Sequence, residues 1–361
     1  MRAVVLVGGA GTRLRPLTRT TPKQVLPIVE VPMIERVLGH LAAHGVSEAV
    51  LSLGYLHDAF SALFPDGRVG GVSLTWAVEP EPLDTAGAVA FAARHAGIDE
   101  TFLVVNGDVL TDLDVSAMVR LHHQRGAEGT ISLAVVPDPS AFGMVEIDDA
   151  DGRVLRFVEK PASPTPGAGL VSAGTYVLEP SVLDRVPTGA RMSIERQVFP
   201  ALVEEQSLYG FPSSDYWTDT GTPAQYLQAH LDLLNGRRRG APAPDAVSTG
   251  DSVWTIGDAV IDGEVRGPAL VGPAAFVARG AVVEASVIGS GSRVHAGARV
   301  HGSVLLAGCT VRSGAVVSRS IVGERAIVGQ EARLSGLTVV GAGAEIPAGD
   351  RLEGARYPPD D

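Results

Sequence analysis

AVVLVGGAGTRLRPLTRTTPK, residues 3–23, decides how the rest of the chain is read. Its first five residues are an unbroken apolar run, the pattern of a short strand buried on both faces. Gly8, Gly9 and Gly11 follow at once. Glycines at the end of a first strand let backbone N–H groups approach an anion that side chains would block. Arg13, Arg15, Arg19 and Lys23 add positive charge, and residues 1–29, which also include Arg2, contain no acid before Glu30. The whole chain carries a formal net charge of −12. A basic loop in an acidic protein points to a small polyanion and argues against a nucleic-acid surface. Two familiar phosphate loops are excluded. A Walker loop needs Gly-Lys-Ser/Thr at a helix start, and Gly11 is followed by Thr12-Arg13. A dinucleotide fingerprint needs a third glycine where this chain has Leu14.

Outward from this loop, strands and helices alternate. MIERVLGHLAAHG (33–45) reads as an amphipathic helix, EAVLSL (48–53) and VSLTWAV (72–78) as strands, residues 86–96 as a helix, and TFLVVN (101–106) as a strand. Such alternation implies a mostly parallel sheet, in which ligands bind beyond the carboxyl ends of the strands. The loops at Gly8 and at Gly107-Asp108 stand at such ends. From about 129 to 211 the chain is richer in strands (TISLAVV, GMVEID, RVLRFV, SAGTYVL), which predicts a mixed sheet. A helix over 223–235, with Pro223 in its first turn, closes a first domain of residues 1–235. Residues 236–252 read as a linker from their Pro, Gly and Ala content.

A repeat fills residues 253–361. Leu270, Phe276, Val282, Ile288, Val294, Val300 and Leu306 recur every six residues. Five-residue steps lead to Val311 and, after Val317, to Val322, and the series continues through Val328, Leu334, Val340 and Ile346. One inward aliphatic per hexad predicts a left-handed parallel β-helix of roughly four coils.

Only two of the 29 basic residues are lysines, Lys23 and Lys160. They lie in TPKQVLPI (21–28) and FVEKP (157–161). A compact ammonium fits beside a reacting phosphate where a planar guanidinium does not.

GGAGTRLRPLT, PKQVLPI, VNGD, FVEKP and the hexapeptide tail together resemble the sugar-1-phosphate nucleotidyltransferases, and most nearly the mannose-1-phosphate guanylyltransferases with a C-terminal β-helix. The resemblance implies an α/β fold, with a Rossmann-like (GT-A-like) catalytic domain followed by the β-helix. It implies in-line attack by a sugar 1-phosphate oxygen on the α-phosphorus of a nucleoside triphosphate, GTP being favoured, with release of pyrophosphate. Arg13 and Lys23 would hold the triphosphate, with Leu6, Gly8, Gly9, Gly11, Thr12, Leu83, Thr85, Gly87 and Asn106 lining the nucleotide. Lys160 would grip the sugar phosphate, Glu159 would accept sugar hydroxyls, and Gly143 would let backbone meet the sugar beside Ser172. Asp108 and Asp219 match the aspartates that hold Mg²⁺ or Mn²⁺. This gives Arg13, Lys23, Lys160 and Asp108 as catalytic residues.

Two positions depart from the family. Asp84 in EPEPLDTAGA replaces a glycine of the stretch that meets base and ribose. Ser172 in LVSAGTYVL replaces an asparagine that contacts sugar hydroxyls. Both bear on the substrate rather than on the triphosphate chemistry, so an unusual hexose or cyclitol phosphate remains open. Adenylyl, thymidylyl or uridylyl transfer is the alternative within the family. A non-catalytic nucleotide-sugar-binding subunit is the alternative outside it, and the retained Arg13, Lys23, Asp108, Lys160 and Asp219 argue against that.

Other candidates carry less. His40 and His44 lack the glutamate and third ligand of a zinc protease and read as a packed or solvated pair. An acyltransferase base at His295 or His301 is unnecessary once the nucleotidyl site accounts for the chain. A single cysteine, Cys309, excludes an internal disulfide and fits a reducing cytoplasm. No signal peptide and no uninterrupted apolar run long enough to span a membrane is read from the sequence. Stacked coils expose faces suited to self-association, so a homo-oligomer through the β-helix is expected.

Overall fold

The computed structural model describes residues 1–54, 56–140, 142–159 and 167–359. Contacts divide the chain into two compact units, neither of them a continuous stretch. The first comprises Met1–Gly9 and Ile34–Trp217, the second Ala10–Met33 and Thr218–Asp361. Ala10–Met33 and the helix beginning at Pro223 thus group with the C-terminal coils, not with the rest of the expected 1–235 domain. Among the described residues no helix is long and apolar enough to cross a membrane.

The first unit is built on one large sheet. Its strands are β1 (Arg2–Leu6), β2 (Glu48–Leu53), β3 (Arg68–Val69), β4 (Val72–Val78), β5 (Phe102–Asn106), β6 (Gly129–Val136), β7 (Gly143–Ile147), β8 (Val154–Glu159), β9 (Gly169–Leu178) and β10 (Leu208–Ser213). The order is β8-β7-β9-β5-β1-β2-β4-β3, with β6 joining β9 to β10. β1 runs parallel to β2 and β5, and β2 parallel to β4. β9 enters antiparallel to β5 and β6, which makes the sheet mixed as expected.

Helix α1 (Met33–Ala43) leads into β2, and α2 (Asp84–His95) buries its alanine-rich face on the sheet. The core joins Val4, Val50, Val89, Ala93, Phe102 and Val104 to Tyr176, Phe199 and Leu208. Rings of Phe157 and Tyr176 meet Phe199 of α4 (Phe199–Glu204) edge to face at 5.3 and 5.1 Å. Sequence reading assigned no helix to Val115–Arg125. It is α3, begun by Asp114 accepting from the Ala117 N–H at 2.8 Å and ended by Gly126 in the left-handed region. Its His122 is buried, bridging Thr130 at 2.8 Å and Glu179 at 3.0 Å.

The second unit stacks parallel strands into three sheets of a parallel β-helix. Among the described residues there are six coils of three strands, from Val253–Thr255 to Arg351–Glu353, and Arg356–Tyr357 begins another turn. This exceeds the four coils expected. The inward phase also differs at the start. Val271, Val277 and Val283 face the interior in place of Leu270, Phe276 and Val282, and Leu305 takes the place of Leu306. The repeating unit is a coil of 17 residues: Val271, Ile288, Leu305 and Val322 stack in register, and an 18-residue step then reaches Val340. Two hexads and a five-residue step make each coil, so a strict six-residue count drifts out of phase.

A polar ladder runs through the same interior. The Ser303 N–H donates to Ser286 Oγ at 3.0 Å, and the Ser320 N–H to Ser303 Oγ at 3.1 Å. All three serines are fully buried, so the Ser286 and Ser303 hydroxyls each satisfy an amide of the next coil, and Ser320 Oγ donates to Ser318 O at 2.8 Å. The stretch read as a linker ends in order. Val247–Gly250 is a strand pairing antiparallel with Val253–Thr255 at the start of the stack.

Ala10–Met33 is laid along these coils. Pro27–Ile28 and Val31–Pro32 form a short hairpin. The Tyr226 hydroxyl of α5 (Pro223–Leu234) donates to Pro27 O. Arg19 donates to Pro359 O at 2.6 Å, and a Cβ on Gly341 would stand 3.1 Å from Pro16.

Candidate active site

Parallel strands β1, β2, β4 and β5 bring their carboxyl ends to one edge of the first unit. Leu6 ends β1 and accepts the Gly107 N–H at 3.0 Å. Gly8 and Gly9 follow, both exposed. A Cβ on Gly8 would stand 3.3 Å from Glu79 Oε1. That carboxylate also accepts from Ser52 Oγ at 2.9 Å and from the Leu83 N–H at 3.1 Å. Glu79 therefore stands beside the glycine loop, a placement with no local signal in EPEPLDTAGA.

Leu83, Thr85 and Gly87 frame this edge through packing. Leu83 is buried. Thr85 donates to Glu195 at 2.7 Å and accepts the Ile194 N–H at 2.8 Å. A Cβ on Gly87 would lie 2.4 Å from Ala190 O, so helix and loop meet there backbone to backbone. Asp84 has a φ of +59°, a conformation that glycine adopts without steric cost. Aspartate tolerates that conformation and accepts the Thr85 N–H at 2.9 Å.

On the β5–β9 side, the Asn106 amide lies 2.7 Å from where a Cβ on Gly174 would be. Ser172 Oγ and the Tyr176 hydroxyl are 3.4 Å apart. Gly143 pairs with Glu159 across β7 and β8, and Glu159 Oε2 would stand 2.9 Å from a Cβ on Gly143. Burial first, then the negative field of Glu195, with Glu159 and Asp108 adding to it, holds the Tyr176 phenol well above its usual range. Carboxylates thus gather around this wall, a chemistry suited to hydroxyl donors. Lys160 lies outside the described residues.

The second unit holds the cations of the loop. Gly11 has a φ of +59°, and a Cβ there would press on Thr18 at 3.1 Å and on the Lys23 stem at 3.2 Å. Thr18 Oγ1 fixes the turn by donating to Gly11 O at 2.8 Å. Thr12 and Arg13 are exposed on the one-turn helix Thr12–Leu14. The Arg13 guanidinium and Asp219 Oδ1 flank Gly221, 2.5 and 2.9 Å from where a Cβ on that glycine would sit. Asp219 Oδ1 is oriented by the Gly221 N–H at 2.7 Å. Thr222, not Asp219, caps α5.

Arg2, counted in the basic stretch, belongs to the fold. It pairs with Asp99 at 3.0 Å and donates to Gly97 O. His40 and His44 pack as edge-to-face rings 4.9 Å apart, with Ser116 on His44 at 2.9 Å. Among the described residues no three His, Cys, Asp or Glu side chains gather as a metal cage. An ion held by one or two carboxylates and by phosphate oxygens needs none.

Comparison with known proteins follows the same lines. The family described as Nucleotidyl transferase matches residues 2–236, and that described as GMPPB C-terminal domain matches 265–359. A mannose-1-phosphate guanylyltransferase of Mycobacterium tuberculosis is 41% identical over 244 residues, 67% of this chain and 66% of that protein. The chain thus spans about two thirds of that relative's length. A probable mannose-1-phosphate guanylyltransferase 2 of Arabidopsis thaliana is 37% identical over 76% of this chain and 75% of its own. Among solved structures, HddC from Yersinia pseudotuberculosis complexed with GMP-PN is 28% identical, with a TM-score of 0.54 over 63% of this chain and 97% of that one. A putative glucose-1-phosphate thymidylyltransferase from Bacillus anthracis, 23% identical with a TM-score of 0.59 over 70% of this chain and 98% of its own, shares the fold.

Proposed function

This chain belongs to the nucleotidyl transferase family, and on that premise we propose that it transfers the guanylyl group of GTP to mannose 1-phosphate. The phosphate oxygen of the sugar attacks the α-phosphorus in line, the α–β bridging bond breaks, and pyrophosphate leaves. The observation that carries the reading is the pairing of a glycine-lined loop with cations on one short segment. Lys23 packs on Gly11, and Arg13 stands with Asp219 about Gly221. The guanylyltransferase relatives supply the choice of base and sugar.

Two polyanions must meet, so the protein's part is positioning and charge neutralisation. Arg13 and Lys23 offset the triphosphate charge, and Lys160 that of the sugar phosphate. Glu159 orients sugar hydroxyls, Gly143 leaves room for the ring, and Ser172 lines it. Asp108 and Asp219 are the oxygen ligands we assign to a divalent cation, Mg²⁺, which when bound neutralises the phosphate charge. Residues 1–235 act as the catalytic domain, and copies of the chain associate through the β-helix in the cytoplasm.

A matrix of nucleoside triphosphates against sugar 1-phosphates, read as released pyrophosphate, tests the reading. GTP with mannose 1-phosphate is expected to give the highest kcat/KM. A ten-fold preference for another base, or for a different ring, would overturn that half of the assignment.

A further inference from the structure

The hairpin between Lys23 and α1 turns through two residues, Val29 and Glu30, between the paired Ile28 and Val31. Both have positive φ, 47° and 65°. Two-residue turns of this kind favour Asn, Asp and Gly, and a β-branched residue there is an outlier. Such backbone persists where its surroundings over-determine it.

Two contacts do so here. The Val29 N–H donates to His230 Nδ1 at 3.1 Å, on a buried ring packed edge to face on Tyr226. Glu30 Oε2 accepts from the Ser290 N–H at 3.1 Å and from its hydroxyl at 2.5 Å. Ser290 sits in a coil of the β-helix, between amides that the stack itself satisfies. Gly289 donates to Leu305 O and Gly291 to Pro273 O, each at 2.8 Å, whereas the Ser290 amide goes to Glu30. From the turn, backbone bonds run back to the cation. Pro27 and Pro32 face each other across the hairpin without a hydrogen bond, since neither has an N–H; beyond them Met33 donates to Leu26 O at 3.1 Å, and Leu26 donates to Lys23 O at 3.2 Å.

We propose that Glu30 is a positioning residue through which the β-helix holds the Lys23 loop in the shape that receives the triphosphate. The proposal rests on Lys23 being a triphosphate ligand. Glu30 does not touch the reacting atoms; it acts through the hairpin.

Glu30→Asn in the full chain separates this from a turn-forming role. Asparagine suits left-handed backbone better than glutamate but is one methylene shorter, and it falls short of Ser290. KM for GTP should rise about ten-fold, because a loop released from the coil must be ordered again when the triphosphate binds. KM for the sugar phosphate should change less than about two-fold, and the melting temperature should hold. Glu30→Gln keeps an acceptor at full length and should recover most of the loss. Hydrogen exchange of the amides in 23–33 should quicken in Glu30→Asn and not in Glu30→Gln. Wild-type KM for GTP together with wild-type exchange in Glu30→Asn would overturn the clamp. Faster exchange with unchanged KM would refute its role in triphosphate binding. If the wild type released no pyrophosphate from any nucleoside triphosphate, the functional reading would fail, and exchange would still decide whether Glu30 holds the hairpin.

Discussion

The two compact units place functional groups by opposite means. In the first, residues far apart in sequence converge because parallel strands end together: Leu6, Ser52, Glu79 and Asn106 all lie at or just past a carboxyl end. In the second, neighbours are set by counting, since a residue in one coil lies beside the residue 17 positions on. The coils themselves hold none of the proposed ligands. What they hold is Ala10–Met33, the irregular segment bearing Arg13 and Lys23. An open sheet gathers a site at its edge, whereas a stacked repeat offers a stiff surface on which a loop can be fixed.

Removing the cation is the largest test of this division. Activity should vanish in chelator and return with Mg²⁺ or Mn²⁺, and Asp108→Asn and Asp219→Asn should each raise the metal requirement steeply. Full turnover in chelator would leave those carboxylates without the role given them. Next in size, Lys23→Ala should lower kcat about 100-fold, by analogy with loss of an electrostatic stabiliser, while circular dichroism stays unchanged. A loss below three-fold would mean that the coils hold a loop without chemistry.

Smaller effects should distinguish the units by pH. Burial outweighs the Glu179 partner and holds the His122 imidazole below its usual range. The unfolded chain therefore takes up this proton first as pH falls below about 6.5, and stability of the first unit should drop on the acid side. Burial pushes the Cys309 thiol up to about 12 from 9.0. Its contribution is intact below pH 9 and is lost as pH climbs from about 9 towards 12, because the unfolded thiol ionises first. Urea midpoints against pH should show both arms, and Cys309→Ala should remove the part of the alkaline one that begins near pH 9, below the range in which the buried Tyr176 and Tyr226 phenols add to it. Smallest of all, Asp84→Gly should leave kcat/KM for GTP within about two-fold, because glycine meets the same positive φ. A switch of nucleobase in that variant would show that Asp84 reads the base.

Legibility followed the range of the interactions. EAVLSL and VSLTWAV could be read to the residue, since apolar runs and the turns that bound them are local signals. The repeat was visible but its phase was not. Leu270-Val271, Phe276-Val277 and Val282-Val283 offer two aliphatic frames one residue apart, and only strand register selects the second. Arg2 read as part of a basic loop because its partners, Asp99 and Glu100, come from a distant turn. Glu30 read only as the first acid of the chain, and its partner lies 260 residues away.

The buried serine ladder has an evolutionary corollary. Ser286, Ser303 and Ser320 satisfy one another's backbone at a fixed interval, so the ladder works as a ruler against which any insertion is measured. Duplicating one whole 17-residue segment would add a rung and leave the others paired. A shorter insertion must be absorbed at a corner, as between Leu334 and Val340, where six residues do what five do between Val317 and Val322. Descendants of this stack should accordingly lengthen in whole coils, by tandem copying of a segment that already knows its own length.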